Sequence, residues 1–164
     1  MKYRRLTIDE LEELEQDFVK FLASNSITGI DWVEMKKNNP EKSNAWIDVF
    51  SDLIFERTLK KVEHLEFKTP NDIKLFHCME DKIVMIGLFI EGHSTIDFTQ
   101  PTPPDKMLEQ LRNSSARLKL YQAEKQFSKQ REMELFEMME NGCLISKGEL
   151  FYTLEKLRGD DDEY

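Results

Sequence analysis

Residues 83–90 read IVMIGLFI, the longest unbroken apolar run in the chain. That run constrains the fold more than any other feature. It falls far short of the ~18 apolar residues a membrane helix needs, and it has the continuous apolar character of a strand buried on both faces. The preceding segment, 73–79, is IKLFHCM, apolar apart from one lysine and one histidine, and Glu80-Asp81-Lys82 supplies the turn between the two. The stretch 73–90 therefore reads as a hairpin. Burying its large side chains is worth on the order of 15–25 kcal/mol gross at ~1.5–3 kcal/mol each. The rest of the chain is expected to organise around it.

What surrounds the hairpin is mostly helical. Thr7 is an N-cap with Glu10 three residues on, a capping box, and Leu6 can staple against Leu11. Ile8, Leu11, Leu14, Phe18, Phe21 and Leu22 then recur at helical spacing, giving one apolar stripe with Asp9, Glu10, Glu13 and Asp17 opposite. A short helix is expected from Asp31 as cap to about Asn38. Asn39 and Pro40 open a third, over 40–62, whose broad apolar face carries Trp46, Ile47, Val49, Phe50, Leu53 and Ile54. Residues 63–69 read as a short strand and 95–98 as another. Thr102 is expected to cap a helix through Met107, Leu108 and Leu111, and 117–122 alternates as a half-exposed strand. Ser128 is expected to cap a helix ending at Asn141-Gly142, Cys143 to Ile145 to form a brief strand, and Ser146 with Glu149 to box a last helix. The fold class that follows is α+β: a single domain over 1–158, an antiparallel or mixed sheet around the central hairpin, amphipathic helices covering it, and a disordered acidic tail over 159–164.

Composition excludes some classes of function. With 164 residues, 40% hydrophobic and 34% charged, the chain is long enough to bury a core unaided. A net charge of -9 argues against a nucleic-acid surface, which needs clustered Lys and Arg, and favours solubility or a partner with a basic surface. The basic opening MKYRR has no apolar stretch behind it, so no signal peptide and no membrane role is expected. Cys78 and Cys143 read as two reduced, buried thiols, and the cytoplasm is the expected compartment.

One surface stands out. Asp48, Asp52 and Glu56 fall at i, i+4 and i+8 on the third helix, with Phe55 and Leu59 beside them. A ridge of carboxylates next to apolar groups suits a partner protein, and reversing its charge is expected to weaken a complex while leaving stability nearly unchanged. Arg57, on the apolar face of the same helix, needs a partner or a route to water.

The chain shows no catalytic motif: no HExxH, GxGxxG, Walker loop, GxSxG or paired CxxC. His77 and Cys78 are neighbours on a strand and point to opposite faces, so they cannot share one ion, and no metal or cofactor is expected. Methionines between 133 and 139 read as core rather than as an adaptable binding surface. Asp72, Glu80 and Lys82 loosely resemble the carboxylate–carboxylate–lysine pattern of the restriction-endonuclease-like nucleases, where acids hold a metal that activates water. That alternative requires the three groups to converge.

The strings MKYRRLT at the start, DVFSDLIFE over 48–56 and GELFYTLEKL over 148–157 resemble a family of short bacterial proteins of unknown function. The similarity runs over nearly the whole chain apart from the acidic tail. It implies a bacterial cytoplasmic protein and assigns no catalytic residue. The function expected from the sequence is a non-catalytic interaction module, an adaptor, regulator or acidic inhibitor of a basic partner, docking through Asp48, Asp52, Phe55, Glu56 and Leu59. The metal-dependent nuclease is the alternative.

Overall fold

The computed structural model describes residues 1–161 and is α+β, with seven helices and five strands among them. It resolves into two compact units, Met1–Lys60 and Lys61–Tyr164.

The first unit is helical. Helix α1 (Ile8–Glu13) opens with the expected box, since Thr7 accepts from the Glu10 amide and the Glu10 side chain accepts from the Thr7 amide. The single stripe expected through Leu22 is broken at Leu14, where the backbone leaves the helical region, and α2 (Glu15–Ser24) follows. Helix α3 (Gly29–Asn38) starts earlier than expected. Its N-cap is Thr28, and Asp31 is the third helical residue, completing a second box. Helix α4 (Pro40–Lys61) follows with the Asn39 side chain accepting from the Lys42 amide, as proline in the first turn allows. Aromatic rings from three of these helices form the centre of the unit. Phe18 lies 5.0 Å from Phe50 and 5.1 Å from Trp32, and Phe21 lies 5.3 Å from Phe50 and 5.9 Å from Trp46. Arg57 is exposed and reaches water directly.

The second unit is built on an antiparallel sheet of strands β1 (His64–Lys68), β2 (Asp72–Cys78), β3 (Lys82–Glu91), β4 (Arg117–Gln126) and β5 (Leu144–Ser146), in the order β4-β3-β2-β1-β5. The hairpin of β2 and β3 is central, with Leu75 opposite Ile86 and Cys78 opposite Ile83. Because side chains alternate along a strand, Ile73, Leu75, Ile86, Leu88 and Ile90 share one face. There they pack with Phe98, with Met107 and Leu111 of α5 (Pro104–Asn113), and with Phe151 and Leu154 of α7 (Glu149–Asp161). Helix α6 (Arg131–Glu140) serves the other face, where its Met138 lines a cavity with Phe76, Ile83 and Met85.

Gly87 is required by its neighbour across the β3–β4 ladder. A Cβ there would fall inside the Tyr121 ring, 1.9 Å from Cζ. The ring lies flat over the glycine and its hydroxyl donates to Asp72 Oδ1 on β2 at 2.7 Å, so one tyrosine spans three strands.

Several local expectations fail for identifiable reasons. Residues 95–98 form no strand; the segment is tied by turn contacts such as Ile96 N to Ser94 Oγ. Pro103 rather than Thr102 is the N-cap of α5, and the Thr102 hydroxyl donates to the Gln100 carbonyl. Ser128 does not cap α6. Its amide and hydroxyl both donate to Glu134 Oε1, and Gln130 is the N-cap. Ser146 accepts from the Gly148 amide, a tight turn before α7. Helix α7 continues through Gly159 to Asp161, into the segment read as tail, while 162–164 lie outside the described residues.

Candidate functional site

The acidic ridge exists as the helical spacing predicts, and the chain's own N-terminal segment occupies it. The amides of Lys2 and Tyr3 donate to the two carboxylate oxygens of Asp52 at 2.7 and 2.9 Å. Lys2 Nζ and the Tyr3 hydroxyl both reach Glu56 Oε2, at 2.9 and 2.5 Å. Arg5 takes Asp48 in a two-point grip, Nε at 2.6 Å and Nη2 at 3.1 Å. Phe55 is covered by the Tyr3 ring, 5.7 Å away, and by the Arg4 guanidinium, 4.9 Å from its centroid. Leu59 is buried. Leu6 closes the segment: its amide donates to the hydroxyl of Ser51, which is fully buried and itself donates to the Ile47 carbonyl. All five residues singled out for docking are thus engaged or buried within the molecule.

The electrostatics agree with that geometry. The Arg5 guanidinium holds the Asp48 carboxyl below its usual range, and Tyr3 and Lys2 do the same for Glu56. Burial, then the Glu56 carboxylate, pushes the Tyr3 hydroxyl up to about 12. The expectation that charge reversal on the ridge leaves stability unchanged does not hold. Replacing Asp48, Asp52 and Glu56 with lysine should cost roughly 2 kcal/mol, because charge-assisted bonds are lost and cations are set against Lys2 and Arg5; exposure of these pairs keeps the figure modest. Urea unfolding of the triple variant checks it, and a midpoint equal to the parent's would show that the segment does not hold the helix.

The nuclease pattern does not assemble. Asp72 begins β2, opposite Phe89, whereas Lys82 begins β3 at the other end of the hairpin and Glu80 lies in the turn. Six residues of strand at ~3.3 Å each separate Asp72 from that turn by roughly 20 Å. Asp72 is engaged by Tyr121 and, at 3.7 Å, by Lys74, and Lys82 pairs with Glu124 at 3.4 Å. Among the described residues no three His, Cys, Asp or Glu side chains gather to hold a metal ion.

Two histidines that the sequence showed only as isolated residues meet across β1 and β2. His64 is opposite His77, their rings stacked at 4.7 Å, with Phe151 at 5.6 Å from each and the Tyr152 hydroxyl 3.3 Å from His64 Nε2. His64 is buried and its Nδ1 has no hydrogen-bond partner. Burial, then the neighbouring His77, lowers its pKa, against smaller raising effects from the Phe76 backbone and Glu63. A base whose pKa is depressed by folding binds more protons when unfolded. Its contribution is therefore present above the unfolded value of ~6.5 and is lost as pH falls through that value toward the folded one. The melting temperature should fall between pH 7.5 and 5.5, and His64→Phe should flatten that slope; an equal slope in the variant would place the titration elsewhere.

Strand β4 lies at one edge of the sheet. Ten residues long and largely exposed, it pairs with β3 on one side and, among the described residues, with no strand on the other. The opposite edge, β5, has three residues, the short edge that usually protects a sheet. Beside β4 opens a cavity of about 280 Å³ lined by Phe76, Ile83, Met85, Ala123, Glu124, Lys125 and Met138. The alternation in the sequence predicts this strand only as far as Gln122. The residues beyond it carry no apolar alternation; Lys119, Glu124 and Lys125 are charges of the kind with which edge strands are commonly defended.

Both cysteines are free and buried, and burial pushes the Cys78 thiol up to about 12, far from a reactive thiolate. No helix among the described residues is long and apolar enough to cross a membrane. Comparisons with curated proteins and with solved structures find no match. A family model matches residues 1–159, and by it the chain belongs to a family of unknown function, DUF6495.

Proposed function

We propose that this chain is a non-catalytic protein–protein interaction module that receives an extended segment of its partner along β4. The observation that carries the reading is the ten-residue strand with one unpaired side, next to an apolar cavity. An added strand gains main-chain hydrogen bonds from such an edge, and a neighbouring pocket that takes a side chain supplies selectivity. Ala123 is exposed and lines the cavity, so Ala123→Trp fills the site without disturbing the core. Affinity capture from cell extract with parent and variant tests the reading. A stoichiometric partner lost only in Ala123→Trp supports it, and the same partner retained by both removes β4 from the interface.

A second reading keeps the ridge of Asp48, Asp52 and Glu56 as the docking surface for a basic partner. Its support is the chemistry of the segment already seated there, Lys2 to Arg5, which is basic and aromatic. A partner of that composition would have to displace it. Lys2→Ala with Arg5→Ala should then strengthen capture, and unchanged capture would dismiss the ridge. In either reading the module works in the bacterial cytoplasm, a placement supported by the family resemblance and by two buried free thiols.

A further inference from the structure

Resting on the docking edge proposed above, we infer that the segment it receives carries one large apolar residue flanked by carboxylates on the same face. The register of β4 on β3 carries the argument. Lys125 is opposite Ile83, Ala123 opposite Met85, Tyr121 opposite Gly87, Lys119 opposite Phe89 and Arg117 opposite Glu91. Side chains alternate along a strand, so Arg117, Lys119, Tyr121, Ala123 and Lys125 lie on the face where the cavity opens, and the three charged ones are all cations. Glu124 also lines the cavity, but by alternation its side chain belongs to the other face, where it pairs with Lys82.

Two carboxylates of the chain offset part of this charge. Glu91 holds Lys119 at 2.5 Å and Arg117 at 3.7 Å, and Glu134 stands 3.9 Å from Lys125. With Glu124 and Lys82 counted as a neutral pair, three cations against two anions leave the row positive on a chain of net charge -9, so the positive character is local to this edge.

The same row disfavours a second copy in the registers centred on the middle of the strand. In a two-fold antiparallel pairing, residues of one face meet across the strands. Centring the pair on Tyr121 sets Arg117 opposite Lys125, and centring it on Gln122 sets Lys119 opposite Lys125. Like charges directly opposite are destabilising. A strand bearing carboxylates meets attraction at the same points. Reading along the edge, an apolar residue opposite Ala123 enters the cavity among Phe76, Ile83, Met85 and Met138. Carboxylates two positions to one side and four to the other fall opposite Lys125 and Lys119.

The probe is a capped nine-residue peptide with glutamate at its first, seventh and ninth positions, leucine at its third and threonine elsewhere. Its counterparts replace the glutamates with lysine, or methylate alternate backbone nitrogens. Binding is read by fluorescence anisotropy on the full chain at low and high salt, with circular dichroism confirming that each variant is folded. The acidic peptide should bind about tenfold or more tighter than the lysine peptide, and Lys119→Glu with Lys125→Glu should abolish that preference. Ala123→Trp and backbone methylation should each weaken binding about tenfold. Equal binding of the two charge versions, both weakened by Ala123→Trp, would overturn the acidic partner and leave the docking edge standing. Binding of neither, or binding indifferent to Ala123→Trp, would overturn the edge itself.

Discussion

Gly148→Val should destabilise the second unit by about 3 kcal/mol or more, because two independent requirements meet at that residue. Its φ is +82°, in the left-handed region where a β-branched residue is a strained outlier costing ~1–3 kcal/mol. A Cβ at Gly148 would also stand 2.5 Å from His64 Cδ2 and 2.6 Å from Nε2. The ring cannot retreat cheaply, since it is buried and stacked on His77 with Phe151 and Tyr152 against it. Forcing extra atoms into a packed site costs a further ~1–3 kcal/mol. Against a typical domain stability of ~5–15 kcal/mol, the variant should lose a large part of its urea resistance. Gly148→Ala should lose less, keeping the clash but a smaller backbone penalty. Adding His64→Ala should recover part of the Gly148→Ala loss, which separates clash from backbone strain. A Gly148→Val change below ~1 kcal/mol would mean that the imidazole moves aside and that the histidine pair does not fix the start of α7.

The parts of this fold that were legible in the sequence are those decided by neighbours in the chain. The Thr7–Glu10 box is a reciprocal pair three residues apart, and the structure shows both of its bonds. The hairpin of β2 and β3 followed from an apolar run long enough to need burial on both faces. Where a second local option existed, reading was poorer. Thr28 with Asp31 makes the same kind of box as Thr7 with Glu10, but Asp31 is itself a good cap, and the sequence alone offers both starts. Residues Ala123 to Gln126 carry no apolar alternation, and only their ladder with β3 makes them strand.

The candidate sites divide in the same way. The carboxylate ridge was visible because its members recur every fourth residue. Its occupant was not, since Lys2 and Glu56 are 54 positions apart and Arg5 and Asp48 are 43 apart. Nor could the composition MKYRR say whether those cations face water or α4. The stacking of His64 on His77 is a register fact: one residue of slip in β1 would send His64 to the other face. The proposed docking edge combines strand order with a cavity whose walls come from β2, β3, β4 and α6, which no single window of sequence contains.

Arg131 is the residue whose loss should matter most among the polar side chains. It is the first residue of α6, where the helix dipole favours an acid and disfavours a cation, so its charge must be used elsewhere. The guanidinium turns back to the sheet. Nε donates to the Met79 carbonyl at 2.8 Å, and Nη2 donates to the Cys78 carbonyl at 3.0 Å and to that of Val62. One side chain thus serves the end of β2 and the residue entering β1, and only 15% of it is exposed. Arg131→Met keeps the length and much of the apolar stem but removes every donor, leaving carbonyls at a partly buried junction without them. Hydrogen bonds to a charged group are worth ~1.5–3 kcal/mol each, and bonds sharing one group are not additive, so the expected loss is about 3–4 kcal/mol. Arg131→Lys should fall between parent and methionine variant, because an ammonium can reach one carbonyl but not replace a planar fork. Hydrogen exchange gives the sharper test. The Cys78 and Met79 amides, bonded to the Glu63 and Lys82 carbonyls, should exchange faster in Arg131→Met even under conditions where the fold persists. If their protection is unchanged and the stability loss is below ~1 kcal/mol, the strand ladder alone holds this end of the sheet, and the arginine only fills space beside it.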